Sequence, residues 1–170
     1  FSKLNEFKTN TDMLILPGNG NFGKGMEILN DRNLINFIKE RSTEIKIVGI
    51  CLGMQLLFDE SEEVDGVKGL SIIPGKVIKI NKNNNYNNPL LGWYDVKFSN
   101  KKKYEILEGS YFFNNNFIVD PTDRKIIQGN LDNSPVFLFK KKIYGIQFHP
   151  ELSRNIGSFF FKNICQQNLI

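Results

Sequence analysis

The residue with the clearest chemical signature in this sequence is Cys51, which lies between two glycines. It follows the apolar run 45–50 (IKIVGI) and precedes the apolar segment 52–58, with Gly49 and Gly53 two positions away on either side. A strand that turns sharply into a helix needs small residues at both positions, as in a nucleophile elbow. The start of the following helix lowers the pKa of such a thiol and offers N–H groups to an oxyanion. The pattern predicts a nucleophilic cysteine, with a buried structural cysteine as the alternative.

The chain has one histidine, His149, and it directly follows the apolar run 143–148 (IYGIQF). Glu151 lies two residues further on. A cysteine nucleophile needs a base, and a carboxylate that orients the imidazole makes the base more effective. Because the carboxyl ends of parallel strands meet at one edge of a sheet, we expect Cys51 and His149 to lie together there. A strand-end histidine satisfied by backbone groups is the alternative for His149 alone.

An α/β domain would position these residues. The first half of the chain predicts strands at 13–16 and 45–50, one or two helices over 23–41, and a helix over 52–58. The later predicted strands are 75–80, 93–98, 111–119, 135–139 and 143–148, and the closing helix is 158–167. This order indicates a mostly parallel central sheet with helices on both faces and a smaller antiparallel portion. Such sheets usually open with a further strand and helix, which we expect to be missing before Met13.

Composition excludes several classes of protein. The 170 residues are 41% hydrophobic and 24% charged, which suits a single globular domain over residues 1–170. No apolar run reaches the roughly 18 residues of a membrane span, and the first ten residues do not resemble a secretion signal. The net charge of +4 is scattered along the chain, which favours solvated loops over a nucleic-acid surface.

The small numbers of cysteines and histidines limit which disulfides and metal sites the chain could form. The two cysteines, Cys51 and Cys165, cannot form a disulfide framework, so a cytoplasmic location is expected. Cys165 lies in the apolar closing helix and is expected in the core. One histidine and two distant cysteines predict no metal site. Neither a dinucleotide-binding glycine motif nor a phosphate-binding loop is present, so no cofactor is expected.

The segments GICLGMQLLF (49–58) and QFHPE (147–151) together resemble the signature of class I glutamine amidotransferases. Further segments resemble, within that family, the glutaminase subunit of imidazole glycerol-phosphate synthase: LPGNGNFG (16–23), MQLLFDESEE (54–63), GLSIIPGKV (69–77) and the pair Gly92-Trp93. The resemblance runs from about residue 14 to the C-terminus. It implies a flavodoxin-like fold and a glutamine-hydrolysing enzyme.

The resemblance also implies roles for individual residues. Cys51 would attack the side-chain amide carbon of glutamine, His149 would carry the proton to the leaving ammonia, and Glu151 would orient His149. Oxyanion stabilisation and glutamine binding would fall to Gly18, Asn19, Gly20, Leu52, Gly53 and Gln55. The ammonia would pass to a HisF-like (β/α)₈ cyclase or synthase subunit in a heterodimer, with histidine biosynthesis as the implied pathway.

The sequence departs from the family pattern at three places. Leu90-Leu91-Gly92-Trp93-Tyr94 stands where the family has HMGWN, so its His and Asn positions are changed. Asn114–Asn116 replace a segment that helps to bind glutamine, and Asn19 replaces a Val. These changes leave alternatives open. The alternatives to a histidine-pathway subunit are three. The chain could be a paralogue that supplies ammonia for amidation of a surface-polysaccharide sugar, a catalytically impaired regulatory subunit, or a hydrolase of γ-glutamyl compounds.

Overall fold

The computed structural model describes residues 11–80 and 88–166. The expected absence of a first strand and helix concerns the chain before Met13, and residues 1–10 lie outside the described part. The strands are β1 Met13–Leu16, β2 Lys46–Ile50, β3 Glu60–Ser61, β4 Gly75–Lys79, β5 Leu90–Phe98, β6 Gly109–Asn115, β7 Phe117–Pro121, β8 Ile127–Leu131, β9 Ser134–Lys140 and β10 Ile143–Ile146. The α-helices are α1 Phe22–Asp31, α2 Leu34–Arg41, α3 Leu52–Gln55, α4 Lys101–Tyr104 and α5 Arg154–Cys165. Short 3₁₀ turns cover Glu105–Leu107, Arg124–Ile126 and Pro150–Leu152.

The main sheet is mixed, with the order β1-β2-β10-β9-β8-β5-β6. Strands β1, β2 and β10 pair in parallel, and the remaining pairs are antiparallel. A second sheet has the order β3-β4-β7. The antiparallel share therefore exceeds the smaller portion expected, because the later strands return by short connections instead of helical crossovers.

Helices cover both faces of the parallel strands, as expected for an α/β fold. All five residues of β2 are buried. On one face Ile47 packs with Phe22, Met26 and Leu29 of α1. These three residues follow helical spacing, so one stripe of α1 meets the sheet. The neighbouring Val48 points to the opposite face, where it belongs to the cluster of buried residues that includes α5.

Helix α5 corrects the expectation for Cys165, which is exposed. The buried residues of this helix are Gly157, Phe160, Asn163 and Ile164. Cys165 is the last residue of α5 and lies off that buried stripe. None of the helices within the described ranges has the length and apolarity needed to cross a membrane.

Several expected elements have different bounds: the closing helix predicted over 158–167 is Arg154–Cys165, and the strand predicted over 93–98 begins at Leu90. The helix predicted over 52–58 ends at Gln55, because the carbonyl groups that follow are used elsewhere: Leu56 O accepts from Leu70 N at 2.8 Å. The strand predicted over 111–119 is two strands, β6 and β7, which separate at Asn116 and join different sheets. At the end of α3, tertiary hydrogen bonds override the local apolar pattern.

An aromatic cluster supports the residue before His149. Phe148 is fully buried. Its ring lies 4.2 Å from that of Tyr111 in β6 and 5.1 Å from that of Phe160 in α5, between ring centroids. Such contacts add to the hydrophobic stabilisation of the core. The end of β10 is therefore held from two sides.

Candidate active site

Cys51 occupies a strained turn between β2 and α3. Its φ of 50° and ψ of −111° are rare for a residue with a side chain. A Cβ on Gly49 would lie 2.6 Å from the carbonyl oxygen of Gly53, and a Cβ on Gly53 would lie 1.8 Å from that of Leu16. Both glycines are thus required by close backbone approach. This is the local geometry of a nucleophile elbow.

The thiol of Cys51 is buried, with 6% of the residue exposed. Burial raises the pKa of this thiol to about 12, and the Leu52 backbone N–H acts against that effect by hydrogen bonding. The carboxylates of Glu151 and Glu63 also raise the pKa of the thiol. At neutral pH the resting cysteine is therefore a thiol, and it could act as a nucleophile only if a base took its proton.

His149 and Glu151 form a close pair at the end of β10. Nδ1 of His149 lies 2.6 Å from Oε1 of Glu151. Nε2, the other ring nitrogen, is buried and has no hydrogen-bond partner among the described residues. A carboxylate that accepts from Nδ1–H fixes the tautomer in which Nε2 is the basic nitrogen. The ring is therefore arranged to accept a proton at Nε2.

Backbone contacts bring the elbow and the histidine segment to the same edge. Cys51 N donates to Ile146 O at 2.7 Å, so the elbow begins beside the end of β10. Strand β6 touches both sides: Phe112 O accepts from His149 N at 2.8 Å, and Asn114 O lies 3.9 Å from the Cys51 sulfur. The structure thus places Cys51 and His149 beside the same strand, at β6 residues two positions apart.

The loop after β1 lies against the elbow. A Cβ on Gly18 would lie 2.4 Å from Cβ of Leu52 and 2.5 Å from Gly53 N, so only glycine allows this approach. Asn19 and Gly20 are exposed, and Gly20 has a φ of 131°. The loop therefore lies close to the two N–H groups that follow Cys51.

Gln55, the remaining residue expected to bind substrate, faces inward. It is 5% exposed, and its Nε2 donates to Phe117 O at 3.2 Å. Nε2 of Gln55 also lies 3.4 Å from Oε1 of the fully buried Gln147. The structure therefore places Gln55 in a hydrogen-bonded group beneath Cys51.

Sequence reasoning missed Ser153, which fastens the histidine segment. The fully buried hydroxyl donates to His149 O and accepts from Phe112 N at 3.0 Å. The bond to Phe112 N and the bond from His149 N to Phe112 O tie the segment to β6 at two points, and the bond to His149 O holds the segment together internally. The only sequence signal is the position of Ser153 just before α5, where serine commonly precedes a helix.

Glu63 was also missed as an individual residue. Its carboxylate accepts from Phe22 N at 2.7 Å. The N-terminus of a helix attracts negative charge, so Glu63 stabilises the start of α1 next to the loop 17–21. Its only sequence signal is its place in the segment 54–63, quoted above for its resemblance.

An exposed aromatic surface adjoins the histidine segment. Trp93 is 41% exposed, so it is not an ordinary core aromatic. Its ring packs edge-on against Phe112 at 5.9 Å, and the guanidinium of Arg154 lies 4.7 Å from its centroid. Leu91, two residues before it in β5, is 57% exposed. Tyr94 instead packs against Phe113 at 5.9 Å.

Residues 11–80 and 88–166 contain no cluster of side chains suited to bind a metal ion. No group of three or more His, Cys, Asp or Glu side chains there is arranged to hold an ion. What the site offers is a thiol, an imidazole, a carboxylate and backbone N–H groups, which are the components of acyl transfer through a covalent intermediate.

The sequence of this chain matches a known protein family and relatives in other organisms. Residues 2–166 match the glutamine amidotransferase class-I family. The imidazole glycerol phosphate synthase subunit HisH of Thermotoga maritima is 37% identical over 162 residues, which cover 93% of this chain and 77% of that protein. The subunit of the same name from Halalkalibacterium halodurans is 40% identical over 164 residues, which cover 89% and 76%.

Solved structures show the same fold at low sequence identity. The crystal structure of a glutamine amidotransferase has a TM-score of 0.71 at 17% identity and covers 91% of this chain and 79% of that one. The glutaminase domain of a Trypanosoma brucei CTPS has a TM-score of 0.53 at 15% identity and covers 93% and 72%. The expected class I amidotransferase fold is confirmed.

Proposed function

This chain belongs to the class I glutamine amidotransferase family, and we propose that it hydrolyses glutamine to glutamate and ammonia through Cys51, His149 and Glu151. One observation carries the assignment of residues. Glu151 engages Nδ1 of His149 at 2.6 Å, while Nε2 is buried without a partner in the described part of the chain. A buried polar atom without a partner lowers stability, and a role in the reaction explains why it is kept.

The first half of the reaction forms a thioester. Nε2 of His149 takes the proton of the Cys51 thiol, and the sulfur attacks the side-chain amide carbon of glutamine. The carbon–sulfur bond forms as the carbonyl electrons move to oxygen. The intermediate then collapses, the carbon–nitrogen bond breaks, and His149 returns the proton to the leaving nitrogen, which departs as ammonia.

The second half hydrolyses the thioester. His149 takes a proton from water, the hydroxide oxygen attacks the same carbon, and the carbon–sulfur bond breaks with its electrons on sulfur. Glutamate leaves and the Cys51 thiol is restored with the proton from His149. Glu151 keeps Nδ1–H oriented through both halves and stabilises the imidazolium.

Backbone N–H groups stabilise the oxyanion that forms in each half. The Leu52 N–H already forms a hydrogen bond with the Cys51 thiol and lowers its pKa. Leu52 and Gly53 open α3, and Gly18 packs directly on them. We assign oxyanion stabilisation to the N–H groups of Leu52, Gly53 and the loop Gly18, Asn19 and Gly20. Gln55 supports glutamine binding from beneath the elbow.

The ammonia is delivered to a partner subunit. The relatives named above are subunits of imidazole glycerol phosphate synthase. By that similarity this chain is a single glutaminase domain that pairs with a HisF-like (β/α)₈ cyclase as a heterodimer in histidine biosynthesis. A nucleophilic thiol must stay reduced, which favours the cytoplasm.

Glutamate release from glutamine tests this function. We expect release by the chain with a histidine-pathway cyclase subunit and none by Cys51→Ala in the same complex. Activity only with a synthase that amidates a sugar would favour the paralogous pathway, which the changes within residues 90–94 and at Asn114–Asn116 suggested. No release with any partner would overturn the glutaminase assignment and favour a regulatory subunit.

A further inference from the structure

Two glutamine side chains lie beneath the cysteine elbow in the interior. Gln147, in the segment between β10 and His149, is fully buried, and Gln55 is 5% exposed. The Gln147 backbone N–H donates to Val136 O at 2.9 Å, which anchors its main chain. Buried amide groups are costly unless their donors and acceptors are paired. The orientation of each amide is therefore set by its surroundings.

A backbone carbonyl determines the orientation of both amides. Phe117 O accepts from Asn115 Nδ2 at 2.9 Å and from Gln55 Nε2 at 3.2 Å. A carbonyl oxygen only accepts, so Gln55 must present its NH₂ group on this side. The same NH₂ group lies 3.4 Å from Gln147 Oε1. Gln147 therefore turns its own NH₂ group away from Gln55.

The NH₂ group of Gln147 meets the sulfur of Cys51. Nε2 of Gln147 lies 3.8 Å from Sγ, while Asn114 O lies 3.9 Å from Sγ on another side. A neutral thiol donates to the Asn114 carbonyl, but a thiolate has no proton to donate and needs donors instead. Gln147 supplies such a donor in either state of the sulfur.

We propose that Gln147 is a further catalytic residue, which binds the Cys51 thiolate through its side-chain N–H while Gln55 acts as a positioning residue that keeps this N–H turned toward the sulfur. The proposal rests on the proposed function, because it takes Cys51 as the nucleophile. A hydrogen bond to the charged form stabilises it, so Gln147 lowers the pKa of the thiol and acts against the larger effect of burial.

Three titratable residues belong to the site besides Cys51. His149 and Glu151 follow β10, and Glu63 follows β3. The two carboxylates raise the pKa of the thiol. None of them is altered in the variants below, so their contributions are the same in every protein compared.

The experiment measures alkylation of Cys51 by iodoacetamide in the full chain. Cys165 is exposed and serves as an internal reference in the same reaction. Peptide mass spectrometry follows both cysteines at about pH 8.5, where the rate reports the thiolate fraction. In Gln147→Met we expect the ratio of Cys51 to Cys165 alkylation to fall about 3- to 10-fold. This range allows for the partial gain in nucleophilicity as the pKa rises.

The direction of the change separates this role from a structural one. Looser packing around a buried cysteine speeds its alkylation, whereas loss of the donor slows it. An unchanged or higher ratio in a folded variant would overturn the proposal. Gln147→Leu also removes the N–H and keeps the test decisive where the Met variant does not fold.

A matched control replaces a glutamine away from the site. Gln128 accepts from Tyr104 Oη at 3.1 Å and is half-buried. Gln128→Met should leave the alkylation ratio unchanged. In the active complex, Gln147→Met should lower kcat and leave KM nearly unchanged. The alkylation result does not depend on turnover, so it stands or fails separately from the glutaminase assignment.

Discussion

Nδ1 of His149 lies 2.6 Å from Oε1 of Glu151, although only Pro150 separates the two residues in the chain. The 3₁₀ turn Pro150–Leu152 brings the carboxylate back to the ring. Ser153, the next residue, binds the carbonyl of His149. One short segment therefore supplies the proposed base, the carboxylate that contacts its ring and the hydroxyl that anchors its backbone.

Loss of the Glu151 charge should reduce turnover with little effect on stability. Glu151→Gln keeps the side-chain shape but leaves the tautomer of His149 unenforced, so we expect kcat to fall about 10²- to 10⁴-fold. The Glu151 side chain is 55% exposed, so the free energy of unfolding should change by about 0.5 kcal/mol or less. Steady-state glutamate release and thermal unfolding measure both quantities.

The control for this variant removes a carboxylate elsewhere on the surface. Glu27→Gln breaks an exposed ion pair with Lys24, whose atoms lie 2.7 Å apart, and should leave kcat unchanged. Wild-type turnover in Glu151→Gln would contradict the assigned role.

A methyl group at Gly53 should disrupt the elbow. Its Cβ would lie 1.8 Å from Leu16 O, a backbone atom that cannot move away alone. We expect Gly53→Ala to lower the free energy of unfolding by about 1–3 kcal/mol or more and to abolish glutamate release. Gly23→Ala in α1 is the matched control: its Cβ would meet Asn21 Oδ1 at 3.2 Å, and we expect a change of about 1 kcal/mol or less. Equal urea midpoints for the two variants would disagree with this account.

Removal of the Ser153 hydroxyl should loosen the histidine segment. Ser153→Ala leaves His149 O and Phe112 N without this partner, and we expect a cost of about 1–3 kcal/mol in the free energy of unfolding together with a lower kcat. Urea denaturation and glutamate release measure the two effects. Ser158→Ala, at an exposed position of the same helix, should alter neither. A Ser153→Ala variant with wild-type kcat would show that the hydroxyl does not position His149.

Stability should fall at alkaline pH because of Cys51. Burial raises the pKa of this thiol from 9.0 to about 12. Between these values the unfolded chain loses the proton and the folded chain keeps it, so the free energy of unfolding falls as pH rises, by up to about 1.4 kcal/mol per pH unit. Cys51→Ala lacks this dependence. Urea unfolding of both proteins from about pH 8 to pH 10.5 tests it. The free energy of unfolding of the wild type should fall more steeply with pH than that of Cys51→Ala. Parallel pH dependences would refute the prediction.

The local features of the site could be predicted from the sequence. The spacing of Gly49, Cys51 and Gly53 predicts a sharp turn, because steric contacts between near neighbours in the chain determine whether such a turn can form. The strand before His149 is evident from its apolar run, and its observed bounds are Ile143–Ile146. The α/β fold follows from the order of such segments, although the antiparallel share of the sheet was underestimated.

Only the tertiary structure decided which groups surround the sulfur. Gln147 is 96 positions from Cys51, and Ser153 is 41 positions from Phe112. The apolar pattern shows which residues are buried but not which way a buried amide or hydroxyl faces, because that depends on acceptors such as Phe117 O supplied by distant strands. The sequence by itself therefore identified the residues proposed as nucleophile, base and orienting carboxylate. Long-range packing determined the polar contacts that orient them.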